Sequence, residues 1–401
     1  MHSMTTQDKQ VKIVLKSGKD QSPRRRHPWL FSGAIKKIYG QPADGDLVEV
    51  YDNKEEQLGT GHYQTGSIAV RMLTFGDSRV GEDLFAARLA EAWDHRRQEG
   101  LFEAQTTNVF RLVNAEGDGL PGLIIDYYNG AAVIQLHSAG MFRNLDRIVE
   151  ALKQLDGLPV DTVYNKSKNT LPEKPGIEPA DRLLFGERTE GEVLEYGYRF
   201  RVNWERGQKT GFFIDQRENR NLLKKYARGR NVLNMFCFTG GFSVYALGGD
   251  AALVHSVDSS GHAIDLTREN VEMNFSRAQN HEAFAADAFE FLQDIDQKYD
   301  LVVLDPPAFA KHQRVLNNAL QGYKKLNQKA IEQIRPGGIL FTFSCSQAVS
   351  KENFRKSVFA AAANTGRDVR ILHQLIQPAD HPVSIYHPEG EYLKGLVLKV
   401  D

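Results

Sequence analysis

The chain has 401 residues, 41% hydrophobic and 25% charged, with 50 Lys and Arg against 51 Asp and Glu. This composition excludes a disordered or fibrous chain and fits a globular protein of two or three domains. Two cysteines, Cys237 and Cys345, exclude a disulfide framework and a zinc cluster. The absence of a long apolar run and of a signal-peptide core leads us to expect a cytoplasmic protein with reduced thiols and neither membrane nor metal partner.

Residues 1–40 hold nine Lys or Arg, from Lys9 to Lys37, against Asp8 and Asp20. Such a basic patch on a neutral chain is either a footprint for phosphates or a solvated face. Val11–Leu15, 46–51 and 68–73 read as short strands separated by glycine turns, which predicts a small β-barrel over residues 1–75. Within it the string RRRHPWLFSGAI sets Arg24, Arg25 and Arg26 beside Trp29. Arginines beside aromatics can pair phosphates and stack on bases, so these four are candidate RNA contacts.

Residues 76–190 read as a small central α/β domain, with a charged helix at 83–99, strands at 110–113, 123–127 and 132–136, and a helix at 141–155. A hairpin turning at Gly197 follows. Then GQKTGFFIDQRENRNLL leads into a helix with an acid in its first turn. Phe213, Asp215, Gln216 and Arg217 are candidates for lining a cofactor cleft. The alternative is a capped linker helix.

The stretch NVLNMFCFTGGFSVYALGGDAALVHSVD organises the rest. Val232–Phe236 reads as a strand, Cys237–Gly241 as a turn, Phe242–Leu247 as a helix, and Leu253–Val257 as a second strand stopped by Asp258. Gly240 and Gly241 let backbone approach a ligand closely, and Asp258 is placed to accept from both hydroxyls of a ribose. GxGxxG and a P-loop lysine are both absent, which suits a nucleoside without phosphates, such as S-adenosylmethionine, better than a dinucleotide. An ordinary βαβ crossover is the alternative. Asp287, just past a third strand, can accept from an adenine amine. Leu301–Leu304 ends in Asp305-Pro306-Pro307-Ala308-Phe309, and 339–343 ends at Ser344-Cys345-Ser346. Regular strand–helix alternation from residue 231 predicts a doubly wound sheet of about seven strands within residues 191–401.

In such a sheet the site lies at the carboxyl ends of the strands. That rule gathers Gly240, Gly241, Asp258, Asp287, Asp305 and Cys345. A Cys345 thiolate could add to carbon 6 of a pyrimidine and make carbon 5 nucleophilic, given a lowered thiol pKa or a nearby base. A buried packing cysteine is the alternative for Cys345 and the expectation for Cys237. Asp305-Pro306-Pro307, with Phe309 as a stacking ring, supports a second possibility, methylation of a ring or exocyclic nitrogen, although Ala308 before the ring makes the fit to the adenine-amine pattern imperfect. A non-catalytic RNA-binding assembly protein on the same scaffold is a third reading.

RRRHPWLFSGAI resembles the PUA RNA-binding domain. Together with TGFFIDQRENR, NMFCFTGGFSVYA, LDPPAFAK, ILFTFSCS and ADHPVSIYHPEGEYLKG, it makes nearly the whole chain similar to the RlmI-like family of bacterial 23S rRNA cytosine-5 methyltransferases. The resemblance implies a PUA domain, a central domain and a Rossmann-like class I methyltransferase domain. It also implies S-adenosylmethionine as donor, 23S rRNA as partner and 5-methylcytosine as product. Cys345 and Asp305 are then catalytic. The donor is held by Phe213, Asp215, Gln216, Phe236, Gly240, Gly241, Asp258, Asp287, Asp305 and Pro306, and the RNA also meets Phe309. A homodimer stays open. The chain departs from many RNA cytosine-5 enzymes in carrying Pro-Ala-Phe where those place a second cysteine, so another group, or solvent, removes the carbon 5 proton.

Overall fold

Six strands form the first sheet, in the order Trp29–Phe31, Ile68–Phe75, Gln57–Tyr63, Leu47–Tyr51, Val11–Leu15, Ile35–Tyr39. Its two outermost strands are consecutive in the chain, joined by the short helical turn Ser32–Ala34. A flat six-stranded sheet would be about 24 Å wide, and that connection reaches only about 14 Å. The sheet must therefore curl into the expected barrel, around Ile13, Leu15, Leu30, Val48, Val50, Leu58, Val70 and Met72. This computed structural model describes residues 11–78, 80–102, 105–310 and 312–401. Lys9 and Asp8 of the basic patch and Lys311 of the AFAK string lie outside the described residues.

The second sheet runs Asp181–Phe185, Thr162–Lys166, Ala131–Leu136, Leu123–Tyr128, Val109–Asn114. Thr162–Lys166 lies parallel to Ala131–Leu136 and the other pairings are antiparallel. The helix expected at 141–155 is two, Ala139–Arg143 and Leu145–Lys153, broken at Asn144, whose Nδ2 bonds back to the Gly140 carbonyl. Asp181–Phe185, not expected as a strand from the sequence, completes the sheet edge.

Both faces of this sheet are buried, as the all-buried strand Ala131–Leu136 shows. Phe110, Leu112 and Ile134 pack on the helix Leu84–Gln98 through Leu89 and Trp93. Val109, Tyr128 and Val133 instead join Phe200 of the hairpin Glu190–Glu195/Tyr198–Asn203 and Trp204 just beyond it, and through them Val232 and Phe341 of the third sheet. The hairpin turn sits at Tyr196-Gly197, both with positive φ.

The third sheet has seven strands: β1 (Asn231–Met235), β2 (Leu253–Asp258), β3 (His281–Ala285), β4 (Leu301–Leu304), β5 (Gly338–Ser344), β6 (Val369–Leu375) and β7 (Lys394–Val400). Their order is 3-2-1-4-5-7-6, with β1 to β5 parallel and β7 antiparallel to both β5 and β6. Alternate residues face opposite layers: Val232, Val254 and Phe341 join one core, and Leu233, Met235, Val302 and Leu340 the other. A helix at Lys351–Thr365, not expected from the sequence, covers the second layer through Phe354 and Val358. The strand order reverses between β1 and β4, where an open sheet leaves a crevice for a ligand.

Candidate active site

Three left-handed residues in alternation shape the loop after β1: Phe236 (φ 57), Phe238 (φ 48) and Gly240 (φ 76). Such a backbone is costly for phenylalanine, and neighbouring hydrogen bonds hold it. Cys237 N donates to the Val257 carbonyl at 3.0 Å, Phe238 N to Asp258 Oδ2 at 3.0 Å, and Gly240 N to the Cys237 carbonyl at 2.8 Å. Asp258 Oδ1 also accepts from Ser260 N at 2.9 Å, so the carboxylate at the end of β2 is locked facing the loop. Gly240 closes against the helix Gly261–Asn274, where a Cβ would meet Thr267 at 2.7 Å. Gly241 starts the buried helix Gly241–Leu247. Cys237 is buried beside Thr267 and its thiol is pushed up to about 12 by that burial, as expected for a packing residue.

Asp287 caps the short helix after β3, its Oδ1 accepting from Phe289 N and Glu290 N at 2.8 and 3.0 Å. It is exposed. On the other side of β1, the turn Ile214–Gln216 enters the helix Arg217–Ala227. Phe213 packs edge-on against Phe238, rings 4.9 Å apart, which roofs the β1 loop. Gln216 is buried and donates through Nε2 to Asp305 Oδ2 at 3.0 Å, at the end of β4. Asp215 Oδ2 accepts from Tyr392 OH at 2.7 Å, while its Oδ1 is buried with no partner. Arg217 points elsewhere, forming a buried ion pair with Asp380 at 3.0 Å.

Cys345 is half-buried and stands one residue beyond β5 rather than within it. Burial pushes its thiol up to about 12, aided by the negative charges of Asp305 and Asp215, with Lys209 acting in the opposite direction. The Ser-Cys-Ser turn is pinned on both sides of the thiol. Ser346 Oγ lies 2.9 Å from Tyr323 OH and accepts from Ala310 N at 3.2 Å, which ties the turn to the Asp305-Pro306-Pro307 loop. Lys394 Nζ, opposite Ser344 across the sheet, donates to the Ser346 and Val349 carbonyls at 2.7 and 2.6 Å. Burial lowers that ammonium to about 8. The Asp305 carboxyl is pushed up to about 7, by burial first and by Asp215 second. Two carboxyls in one small space cannot easily both ionise. Pro306 is buried behind Asp305, and Phe309 turns onto Tyr323, rings 4.6 Å apart.

The arrangement therefore gathers Gln216, Asp215, Asp305 and Cys345 around the ends of β4 and β5, with the β1 loop and Asp258 beside them. The arginine-rich string lies apart, on the barrel. Arg24 is bound by Asp20, Asp52 and Glu56. Arg25 and Arg26 are exposed, the latter over Phe75 and Tyr386 at 5.4 and 6.0 Å. Trp29 lies in the seam with the central domain, bonded to Glu116 at 2.8 Å and 4.3 Å from the His387 ring.

Sequence reasoning missed Tyr392 and Lys394, although both stand in the string EYLKG. It also missed Asn219, whose Nδ2 donates to Gln216 Oε1 at 2.6 Å. Each acts through tertiary contacts that leave no mark on local spacing. Among the described residues, no group of three or more His, Cys, Asp or Glu could hold a metal, and no helix is long and apolar enough to cross a membrane.

Residues 111–385 match the family model of S-adenosylmethionine-dependent methyltransferases, and residues 13–75 that of the PUA-like domain. The chain is 41% identical over 395 residues to ribosomal RNA large subunit methyltransferase I of Aeromonas hydrophila, covering 96% of this chain and 98% of that one. It is also 41% identical over 396 residues to the protein of that name from Photobacterium profundum, covering 97% and 99%. A solved structure from Streptococcus mutans, described as a SAM-dependent methyltransferase, superposes with a TM-score of 0.82 at 24% identity over 97% of this chain and all of that one. A methyltransferase solved in complex with SAH superposes at 0.83 with the same identity and coverage. These solved structures share the fold, and the cofactor of the site is S-adenosylmethionine. The chain belongs to the S-adenosylmethionine-dependent methyltransferases and, among them, to the RlmI-like family of ribosomal RNA large subunit methyltransferase I.

Proposed function

We propose that this enzyme methylates carbon 5 of a cytosine in large-subunit (23S) rRNA, with Cys345 as the nucleophile. The observation that carries the reading is the position of Cys345, half-buried just past β5 and within the electrostatic reach of Asp305 and Asp215. The donor, when bound, supplies an electrophilic methyl group and a positive sulfonium. Asp215 Oδ1, a buried acceptor without a donor, suits the amino group of its methionine part. Asp258, Asp287 and the glycine loop suit its nucleoside.

Cys345 Sγ bonds to carbon 6, and the electron pair of the C5–C6 double bond makes carbon 5 the atom that takes the methyl. Transfer of the carbon 5 proton to solvent or another basic group, with cleavage of the C6–S bond, then restores the ring and frees the thiolate. Because its carboxyl titrates near 7, Asp305 can give a proton to the ring nitrogen as the thiolate adds, which keeps charge from building on the base. The thiol is protonated in the free enzyme, and its proton passes, in step with attack, to the Asp305 carboxylate left by that donation or to solvent. The target base must be unpaired or flipped out for the thiol to reach its face. Nitrogen methylation is supported less well, because the Phe309 ring is already engaged by Tyr323. We also assign the chain to the cytoplasm and divide it near residues 75 and 190, since each of the three large sheets lies within those bounds.

The test is incubation with labelled donor and protein-free 23S rRNA, followed by nucleoside analysis, beside a Cys345→Ala control. Label in 5-methylcytidine that disappears in the control supports the reading. Label in another nucleoside, or an active control, overturns it.

A further inference from the structure

The barrel, the central domain and the catalytic domain meet around a recess of about 160 Å³. Trp29 of the barrel forms one wall, Glu116 and Ile124 of the central domain a second, and Gln347, His387 and Tyr392 of the catalytic domain a third. Short contacts fix these walls against each other. Trp29 Nε1 donates to Glu116 Oε1 at 2.8 Å, and the Trp29 and His387 rings stand edge to face, 4.3 Å apart. Asn114 Nδ2 donates to the Pro382 carbonyl at 2.9 Å, and Gly117 has no room for a Cβ against that same carbonyl. Three distant stretches of chain, two of them within the strings RRRHPWLFSGAI and ADHPVSIYHPEGEYLKG, thus build one recess.

The recess adjoins the active site. Gln347 stands two residues beyond Cys345, their Cα atoms at most about 7 Å apart, and the Tyr392 hydroxyl donates to Asp215 Oδ2 at 2.7 Å. A small-molecule pocket usually starts at roughly 300 Å³, so this volume suits a single flat ring system. Trp29, Tyr392 and Ile124 supply apolar surface for it. The polar lining is acidic. Glu116 Oε2 has no hydrogen bond among the described residues, and the exposed Glu389 carboxylate lies 3.5 Å from His27 Nε2 and 3.8 Å from His387 Nε2. That His387 nitrogen is buried without a hydrogen-bond partner. Arg111, the one guanidinium in the lining, is taken by Asp126 through Nε and Nη2. Such a lining repels a phosphate and accepts from an amine. At the rim the sign reverses, with Arg25 and Arg26 exposed and Arg26 6.0 Å from the exposed ring of Tyr386.

We propose that this recess receives one splayed base of the substrate RNA, a near neighbour of the methylated base, and selects a base bearing an exocyclic amine through Glu116. The inference rests on the RNA methylation reading above and adds how the RNA sequence is read. Single-stranded RNA is recognised by laying unstacked bases on aromatic side chains and bonding their Watson–Crick edges, and the recess offers both means. Guanine, adenine and cytosine carry the amine, and uracil does not. Arg25 and Arg26 take the flanking phosphates, whereas Arg24, expected as a contact, has its charge spent on three carboxylates.

Of the three tryptophans, Trp93 and Trp204 are buried and only Trp29 is half-exposed, so quenching of its fluorescence reports occupancy of the recess. The probes are RNA pentanucleotides of uridine with guanosine, adenosine, cytidine or uridine at the centre, titrated into the full chain. A central amine-bearing base should quench saturably and bind roughly tenfold tighter than the all-uridine strand. Glu116→Gln keeps an oxygen for Trp29 Nε1 but sets an amide N–H where the free carboxylate oxygen stood. It should fold, lose that preference and bind the all-uridine strand at least as well as the others. Equal affinity of the wild type for all four strands, which needs no variant to measure, would overturn the proposal. So would a preference that Glu116→Gln leaves untouched. Methylation of 23S rRNA is read separately by nucleoside analysis. A chain that selects amine-bearing strands but methylates no RNA would overturn the methylation reading and keep the base site, and methylation without selection would do the reverse.

Discussion

Gln216 donates through Nε2 to Asp305 Oδ2 at 3.0 Å, and its amide is held from turning over by Asn219, which donates to its Oε1 at 2.6 Å. This contact joins the helix that precedes the catalytic sheet to the end of β4. It also leaves Asp305 facing Asp215, with burial and like charge both favouring the protonated form.

A stability profile follows from that proton. Between the usual carboxylate value of 3.8 and about 7 the folded chain keeps the Asp305 proton while the unfolded chain has lost it. Stability is therefore progressively lost as pH rises through this window and the cost is constant above it. Asp305→Asn removes the cost, so it should stabilise by on the order of 4 kcal/mol at pH 8 and by little near pH 4. Urea midpoints at pH 5 and pH 8 measure this, and an equal gain at both would contradict the assignment. Methyl transfer by the same variant should be lost.

Cys345 should alkylate slowly in the free enzyme. A thiol pushed up to about 12 from 9.0 carries roughly a thousandth of the ordinary thiolate at pH 8. Iodoacetamide labelling followed by mass spectrometry should show a rate that climbs steadily to pH 10. Fast labelling at pH 7 would mean that the free enzyme already holds the thiolate.

Asp380 joins three parts of the chain. Its carboxylate meets Arg217 Nη2 at 3.0 Å, the Arg111 amide at 3.0 Å and His381 Nδ1 at 3.0 Å, and its carbonyl accepts from Arg96 at 2.8 Å. Burial alone would raise this carboxyl, but Arg217 and His381 outweigh it and hold it far below the usual range. Its contribution is present above the unfolded value near 3.8 and fades as pH falls below it. Asp380→Ala should cost about 3–5 kcal/mol at pH 7, with the deficit shrinking on acidification. A pH-independent deficit in urea unfolding would contradict this.

Tyr392→Phe removes the one hydroxyl that satisfies Asp215. We expect a loss of about 1–3 kcal/mol and weaker donor binding by calorimetry. Unchanged donor affinity would move Asp215 away from the methionine end.

The catalytic sheet was legible because its signals are local. β1, β2, β4 and β5 are apolar runs that end in chemistry-bearing residues, and glycines or acids follow them at spacings that a strand–turn–helix geometry dictates. Two elements escape this reading, each for its own reason. Asp181–Phe185 carries two exposed large hydrophobic residues, Leu183 and Phe185, and becomes a strand only because Thr162–Lys166 offers its edge. Lys351–Thr365 carries a fully buried Ala361 and a strongly exposed Phe359 on one helix, so its apolar pattern is diluted.

By itself, the sequence determined the parallel strands of the catalytic sheet and the placing of Asp258, Asp287, Asp305 and Cys345 at or just past strand ends on one shared edge, since strand polarity alone carries residues after parallel strands to one side. Only the tertiary structure decided which of them are electrically coupled. Tyr392 meets Asp215 across 177 positions of chain, and Gln216 meets Asp305 across 89. A pKa and an unmet hydrogen bond depend on burial and on neighbours in space, and neither exists until distant segments pack.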